Sequence, residues 1–341
     1  LALFSRTGAS RQQVDQLALD LELFELPCAR GCTYVVPRDH FEIALRAGSS
    51  FGEGDYLVAT RHLGVTDSEI HHLCERVLVL LESGPKEPSE LKSELGDTVR
   101  SLGPEGKKRG QTTTLPLALG RLQRSGQIRR QPVNGRLDTQ KYRYELWLNS
   151  PITDSVTSDQ EVAEQVAGLF FGWIGIASLA QFVKLSGFGA KLAKDTVRSL
   201  SLSSVPGTDL LGSAADLDSL SSFQPSPDPF YRLVGSIDNM FHLRRDIGSL
   251  LDSESQDASF AGVQDLNHHA ILDRGRLVGF WDYDVESSHV RWRAFEAPSA
   301  GMRAAVSEVE EFVRDQLGDA RTFSLDSPES RKKRLASLPL P

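Results

Sequence analysis

The sequence predicts an α+β fold: tandem winged helix-turn-helix motifs with a C-terminal β-barrel-like domain. Three observations carry this expectation. Two stretches run in the order helix, short helix, helix, strands. Beyond residue 230 the pattern changes to period-two alternation broken by tight turns. Positive charge is also concentrated. Lys107–Trp147 holds ten Lys/Arg against Asp138 and Glu145, a local net of +8 in a chain of net −8, so the other 300 residues carry −16.

Residues 1–66 read as a partial N-terminal winged helix. Val14, Leu17, Leu21 and Phe24 have helical spacing, Gly31 turns the chain, a β-rich run continues through Val36, and a helix starts near Arg38–Asp39. The basic winged helix occupies 67–150. Asp67 is placed to cap a helix striped by Ile70, Leu73, Val77, Leu80 and Leu81. Pro88-Ser89 opens a short helix that Gly96 closes, and GPEGKKRGQ connects it to a third helix bearing Leu115, Leu119 and Leu122. QIRRQPV and KYRYELW then form a strand pair joined by NGRLDTQ.

A third winged helix, 151–205, repeats the order with helices over Val162–Trp173, Ile176–Ser186 and Gly189–Leu200. Its most apolar stretch, VAGLFFGWIGIASLAQF, is broken by Gly168, Gly172 and Gly175 and reads as a core helix, so no membrane partner is expected. The Ser/Pro/Asp-rich residues 206–229 read as a linker. Residues 230–323 form the C-terminal β-rich domain: a hairpin turning at Asp273–Gly275, a further strand in SSHVRWRAFEA, and an amphipathic helix over Ala304–Leu317. Residues 324–341 read as a polar tail whose RKKR cluster is solvated.

Several classes are excluded by pattern. Three cysteines are too few for a disulfide framework, and Cys28 and Cys32 have half a zinc spacing without a second pair. A reduced protein of the cytoplasm, nucleoid-associated and needing no cofactor or metal, is expected. GKKRGQTTT lacks the order of a phosphate-binding loop, DRGRLVG is no dinucleotide fingerprint, and no nucleophile elbow is present. The chain starts at Leu1, its only methionines are Met240 and Met302, and no signal-peptide n-region precedes LALFSRTG; it reads as a piece of a longer chain.

In a winged helix the third helix enters a groove and the wing touches the backbone. That assigns Thr113, Arg121 and Arg124 to the helix, and Arg129, Arg130, Lys141 and Arg143 to the wing, as contacts to double-stranded DNA. Arg129 and Arg130 alternate faces, so only one can point to DNA from the open side. Arg30, beside the Gly31 turn, is equally placed for a phosphate or for a carboxylate partner. The competing interpretation is a solvated basic face on a protein-binding scaffold.

RGCTYVVPRDHFEIAL resembles the R-G-T-L-H-L-V-x-x-x-D segment of the winged-helix family whose members include the AlkZ and YcaQ DNA glycosylases. LVGSIDNMFHLRRDI is similar to the family's D-N-x-x-L-x-R-x-D stretch, and HHAILDRGRLVGFWDYD to its H-x-x-x-x-x-G-x-x-V-G-x-W hairpin. The likeness spans nearly the whole chain. Cys32 and Tyr34 replace the usual Thr and His. The resemblance implies three winged helices around a concave DNA channel, a C-terminal β-barrel, and excision of alkylated or crosslinked bases by cleavage of the N-glycosidic bond. It also implies a catalytic Gln-x-Gln or Gln-x-Asp that positions water, falling by register just upstream of Leu1. Gln12, Gln13 and Gln16 lie within a helix and are not given that role.

Within the chain, Asp238 is a catalytic candidate or a turn cap, and His269 is a second candidate, facing opposite to His268 along a strand. The expected protein is a monomer. The alternatives are a non-catalytic winged-helix DNA binder, such as a repressor or lesion sensor, and a winged-helix scaffold that binds protein.

Overall fold

The computed structural model describes residues 1–49, 53–139, 141–152, 155–251, 263–322 and 326–339. The chain groups into two compact units. One comprises Leu1–Val14, Phe170–Phe182 and Ser201–Pro341; the other comprises Asp15–Leu169 and Val183–Leu200.

Helix α1 (Ala2–Thr7) stops at Gly8, whose φ of 70° turns its N–H back to Phe4 O. α2 (Arg11–Leu19) leads to the antiparallel pair β1 (Leu23–Pro27) and β2 (Thr33–Pro37), followed by α3 (Phe41–Ser49) and α4 (Glu53–His62). α3 packs on the hairpin through Phe24, Leu26, Phe41, Ala44, Leu45 and Trp147. The approach requires glycine at position 48, because a Cβ there would sit 2.5 Å from Pro27 O.

α5 (Asp67–Leu81), α6 (Pro88–Leu95), α7 (Gly103–Lys108) and α8 (Leu115–Arg124) precede the hairpin of β3 (Ile128–Pro132) and β4 (Tyr142–Leu146). Thr66, not Asp67, caps α5: its hydroxyl accepts from Glu69 N while the Glu69 carboxylate accepts from Thr66 N. Asp67 is thereby left to face Arg121. One core holds Ile70, Leu73, Val77, Leu81, Leu91, Leu95, Leu115, Leu119, Leu122 and Ile128. The apolar stripes of α5, α6 and α8 therefore meet, leaving their polar sides outward.

Next come α9 (Asp159–Ile174), β5 (Ile176–Ser178), α10 (Leu179–Ser186), α11 (Ala190–Ser199), β6 (Ser203–Ser204), β7 (Leu210–Gly212) and α12 (Ala214–Ser222). The expected helix from Ile176 starts three residues late because 176–178 pair with β7, and Ser178 and Gln181 then cap α10 reciprocally. The stretch read as linker contains structure as well. Ser213 accepts from Asp216 N and starts α12, a helix that buries none of its side chains fully.

The remaining elements are β8 (Tyr231–Val234), α13 (Asn239–Arg244), β9 (His269–Asp273), β10 (Arg276–Asp284), β11 (His289–Ala294), α14 (Ala300–Phe312) and α15 (Pro328–Ala336). The strands form an open antiparallel sheet in the order β11-β10-β9-β8. This corrects the expected β-barrel. Every residue of β9 is buried, which requires cover on both faces. Leu233, Ile271, Trp281 and Val290 pack on Met302, Val306, Val309 and Phe312 of α14. Val234, Ala270, Leu272 and Phe280 pack on Phe241, Ile247, Leu250 and Leu338. With helices and loops covering both faces, burial needs no closure of the sheet on itself.

The terminal RKKR is not simply solvated. Arg331 and Arg334 lie one turn apart and point inward: Arg331 is fully buried on Ala320 O and Asp319, and Arg334 bonds Asp282 and Asp326. Lys332 and Lys333 face solvent. Asp319 and Asp326 lie in the chain shortly before α15, whereas Asp282 comes from β10, 52 residues away from Arg334.

Candidate nucleic-acid interface

Folding brings carboxylates to the basic segment. Arg129 donates to Glu145 directly across the hairpin, and its guanidinium lies 6.0 Å from the Phe24 ring. Arg130 meets Glu25 at 3.3 Å and stacks over Tyr142 at 4.2 Å. These two side chains are only 17% and 19% exposed. Both therefore tie the β3–β4 hairpin to its surroundings. Arg121 bonds Asp67 at 2.8 Å over the Tyr56 ring, and the Tyr56 hydroxyl donates to the same carboxylate oxygen at 2.9 Å. Arg143 is half-exposed, 3.8 Å from Glu87. Glu25, Asp67 and Glu87 all lie outside the stretch that showed +8.

The other assigned residues divide similarly. Arg124 folds back over Gly120, close enough that a Cβ there would meet its guanidinium at 3.1 Å. Thr113 is half-buried and pairs through its backbone with Ser101, while neighbouring Thr114 is fully buried and accepts from Arg100 N. Lys141 is exposed and makes no ion pair among the described residues. Exposed pairs such as Arg143–Glu87 are worth little and can exchange a carboxylate for a phosphate; Arg129 and Arg130 cannot do so without disturbing the β3–β4 hairpin.

Arg30 has φ 58° and is followed by Gly31 at 70°, so two successive residues are left-handed. The Tyr34 hydroxyl is its hydrogen-bonding neighbour. Burial raises the Tyr34 phenol above its ordinary value, partly offset by Arg30. The buried Arg30 Nε has no hydrogen-bond partner. No carboxylate pairs with Arg30 among the described residues.

A further set of cations is not evident from net charge along the chain. On α11, Lys191, Lys194 and Arg198 follow i, i+3, i+7 along one ridge, while Ala193, Thr196 and Val197 are buried behind it. Arg198 is 3.7 Å from Asp195, but Lys191 and Lys194 form no ion pair among the described residues. The signal is present in AKLAKDTVRS, whose cations all fall on the polar face. Counting charge by window gives it less weight than the denser segment before it.

Neither catalytic candidate faces solvent. Asp238 caps α13 by accepting from Met240 N at 3.0 Å and is gripped by both terminal nitrogens of Arg6. Replacing Asp238 with Ala is expected to lower unfolding stability by about 2 kcal/mol, from the lost cap and charge-assisted bonds, without changing duplex affinity. A urea midpoint that stays put would refute that structural assignment. His269 is fully buried against Trp281, its Nδ1 accepts from Ser236 N at 3.0 Å, and Nε2 therefore carries the proton toward Ala320 O. Burial pushes this imidazole below its ordinary value and keeps it neutral.

The triplet Gln13-Val14-Asp15 spells Gln-x-Asp, although its place inside a helix argues against the catalytic role. Gln13 Oε1 accepts from Ser10 N at 2.8 Å, and Asp15 lies in the field of Arg136. Gln13 is thus engaged as a helix cap.

The fold is a mixed α+β one that leaves Lys141 beside a hairpin and Lys191 and Lys194 on a helix exposed. The family described as DNA glycosylase AlkZ-like matches residues 1–314, and the chain belongs to it. Membership makes DNA the partner and DNA repair the setting. The fold is similar to that of the DNA glycosylase AlkZ from Streptomyces sahachiroi, with a TM-score of 0.65 and 19% identity, covering 92% of this chain and 84% of that one. No curated protein matches the chain. Among the described residues, no helix is long and apolar enough to cross a membrane.

Proposed function

We propose that this protein is a monomeric DNA glycosylase that grips duplex DNA through winged-helix elements and excises alkylated or crosslinked bases. The observation that carries this reading is the family match across residues 1–314. The order α5, α6, α8, β3, β4, with cations on the last helix and the wing, supports the winged-helix part. Lys141, Arg143, Arg121, Lys191 and Lys194 contact phosphates, and Arg30 supports the duplex from the first hairpin. Water adds at the sugar C1′ and loses a proton to solvent, while the base departs with the electron pair of the glycosidic bond. The cationic N7-alkylated purine thereby leaves as a neutral base. Alkylation at a purine ring nitrogen makes that base a better leaving group.

The test is incubation of the protein with duplexes containing N7-alkylguanine or an interstrand crosslink, followed by cleavage of abasic sites with hot alkali. Because Asp238, His269 and Gln13 are held in structural roles, residues 1–341 by themselves are expected to give no lesion-dependent strand breaks. Breaks would show that other residues of this chain position the water. Duplex binding without breaks would establish residues 1–341 by themselves as a non-catalytic DNA binder. The structural engagement of Asp238 and His269 favours that second reading.

A further inference from the structure

The hairpin tip between β1 and β2 carries a feature that DNA binding does not use. The register runs Leu26 opposite Tyr34 and Pro27 opposite Thr33, and it continues with Cys28 N–H donating to Cys32 O at 2.8 Å. Cys28 and Cys32 therefore face each other across the last rung before the turn. Directly opposed antiparallel residues have Cα atoms about 4.5–5.5 Å apart, inside the window that a disulfide spans. Gly31 N bonds Cys28 O and Cys32 N bonds Ala29 O, so the intervening turn is already closed by its own backbone. Both thiols are free, Cys32 exposed and Cys28 partly buried. Burial, with the neighbouring Cys32 charge adding to it, raises the Cys28 thiol above its ordinary value, which fits a resolving rather than an attacking role.

We propose that Cys28 and Cys32 are a reversible dithiol–disulfide pair, oxidised by hydrogen peroxide, whose closure locks the turn that presents Arg30. The exposed Cys32 thiolate attacks the peroxide O–O bond, forming a sulfenic acid and releasing one water once the leaving hydroxide is protonated. The Cys28 thiolate then displaces the hydroxyl from that sulfur, forming the S–S bond and a second water. Two thiols lose two hydrogens and one peroxide becomes two waters. The ring encloses Ala29, Arg30 and Gly31, with Arg30 held in its left-handed conformation.

This inference does not rest on glycosylase activity, and its test reads chemistry alone. The full chain is treated with hydrogen peroxide, its remaining thiols are blocked, and it is digested with trypsin without reductant. Cleavage after Arg11, Arg30 and Arg38 separates the two cysteines onto Gln12–Arg30 and Gly31–Arg38. The expected product is these two peptides joined by a disulfide and released by a dithiol reductant. Cys74 serves as an internal control: it is buried, donates to Ala118 O, and its thiol is pushed up to about 11, so it should stay reduced. C32S should abolish the linked product and C74S should retain it. A mixture of isotopically light and heavy protein should give no mixed pair of peptides. Mixed pairs, persistent free thiols, or conversion of Cys32 to sulfinic acid without linkage would each overturn the proposal.

Discussion

Substituting Lys141, Lys191 and Lys194 together by glutamate is expected to weaken duplex binding by about a hundredfold or more at moderate salt, with an unchanged unfolding midpoint. Each lysine that meets a phosphate releases a counterion, so the slope of log affinity against log salt should become shallower by about 0.9 for each such lysine replaced. They are exposed and form no ion pair among the described residues, so no buried partner there is abandoned, and surface changes of this kind usually move stability by only about 0.5 kcal/mol. Filter binding or anisotropy with one undamaged duplex across a salt series measures both quantities. An unaltered salt slope would remove α11 and the Lys141 position from the DNA face.

Arg129 is expected to behave in the opposite way. Arg129→Glu would set two carboxylates opposite each other in the β3–β4 hairpin, beside Phe24 and largely out of water. The expected cost is about 3 kcal/mol, because breaking a little-exposed pair leaves uncompensated charge as well as removing an attraction. Gln131 also donates to Glu145, so the disturbance would extend to a second residue of the hairpin. Exchanging the pair, with Arg129→Glu and Glu145→Arg in one chain, should recover most of the loss. Urea titrations of the three variants decide this. A stable Arg129→Glu protein that no longer binds DNA would return Arg129 to the interface.

These two expectations diverge although both sites are basic residues in the same kind of motif. In the sequence, Arg129 and Lys141 look equivalent, since each sits in a wing strand rich in positive charge. Register separates them: Arg129 falls opposite Glu145, whereas Lys141 lies just before β4 and stays in solvent. Similarly, the apolar spacing of α5 and α8 is legible because burial of one helical face leaves a local trace. The partners Glu25 and Asp67 are not, because each is distant in sequence from the arginine it meets.

The C-terminal region shows the same division. Alternation and the turn at Asp273–Gly275 locate β9, β10 and β11, and the motif resemblance leads to the AlkZ-like family that residues 1–314 match. Whether those strands close into a barrel depends on what covers their faces, which periodicity does not encode. Helix α14 and the chain around Phe241 and Leu338 cover them, so the sheet stays open. Local spacing and turn chemistry thus located the helices of 67–124 and the strands β3, β4, β9, β10 and β11, while motif resemblance pointed to the family. Phe24, spaced like a helical residue, lies in β1, and α12 and α15 fall in stretches that read as linker and tail. Tertiary structure alone decided which charges remain available, because an ion pair depends on separation in space, and only folding brings Arg331 to Asp319 or leaves Lys194 unpaired among the described residues.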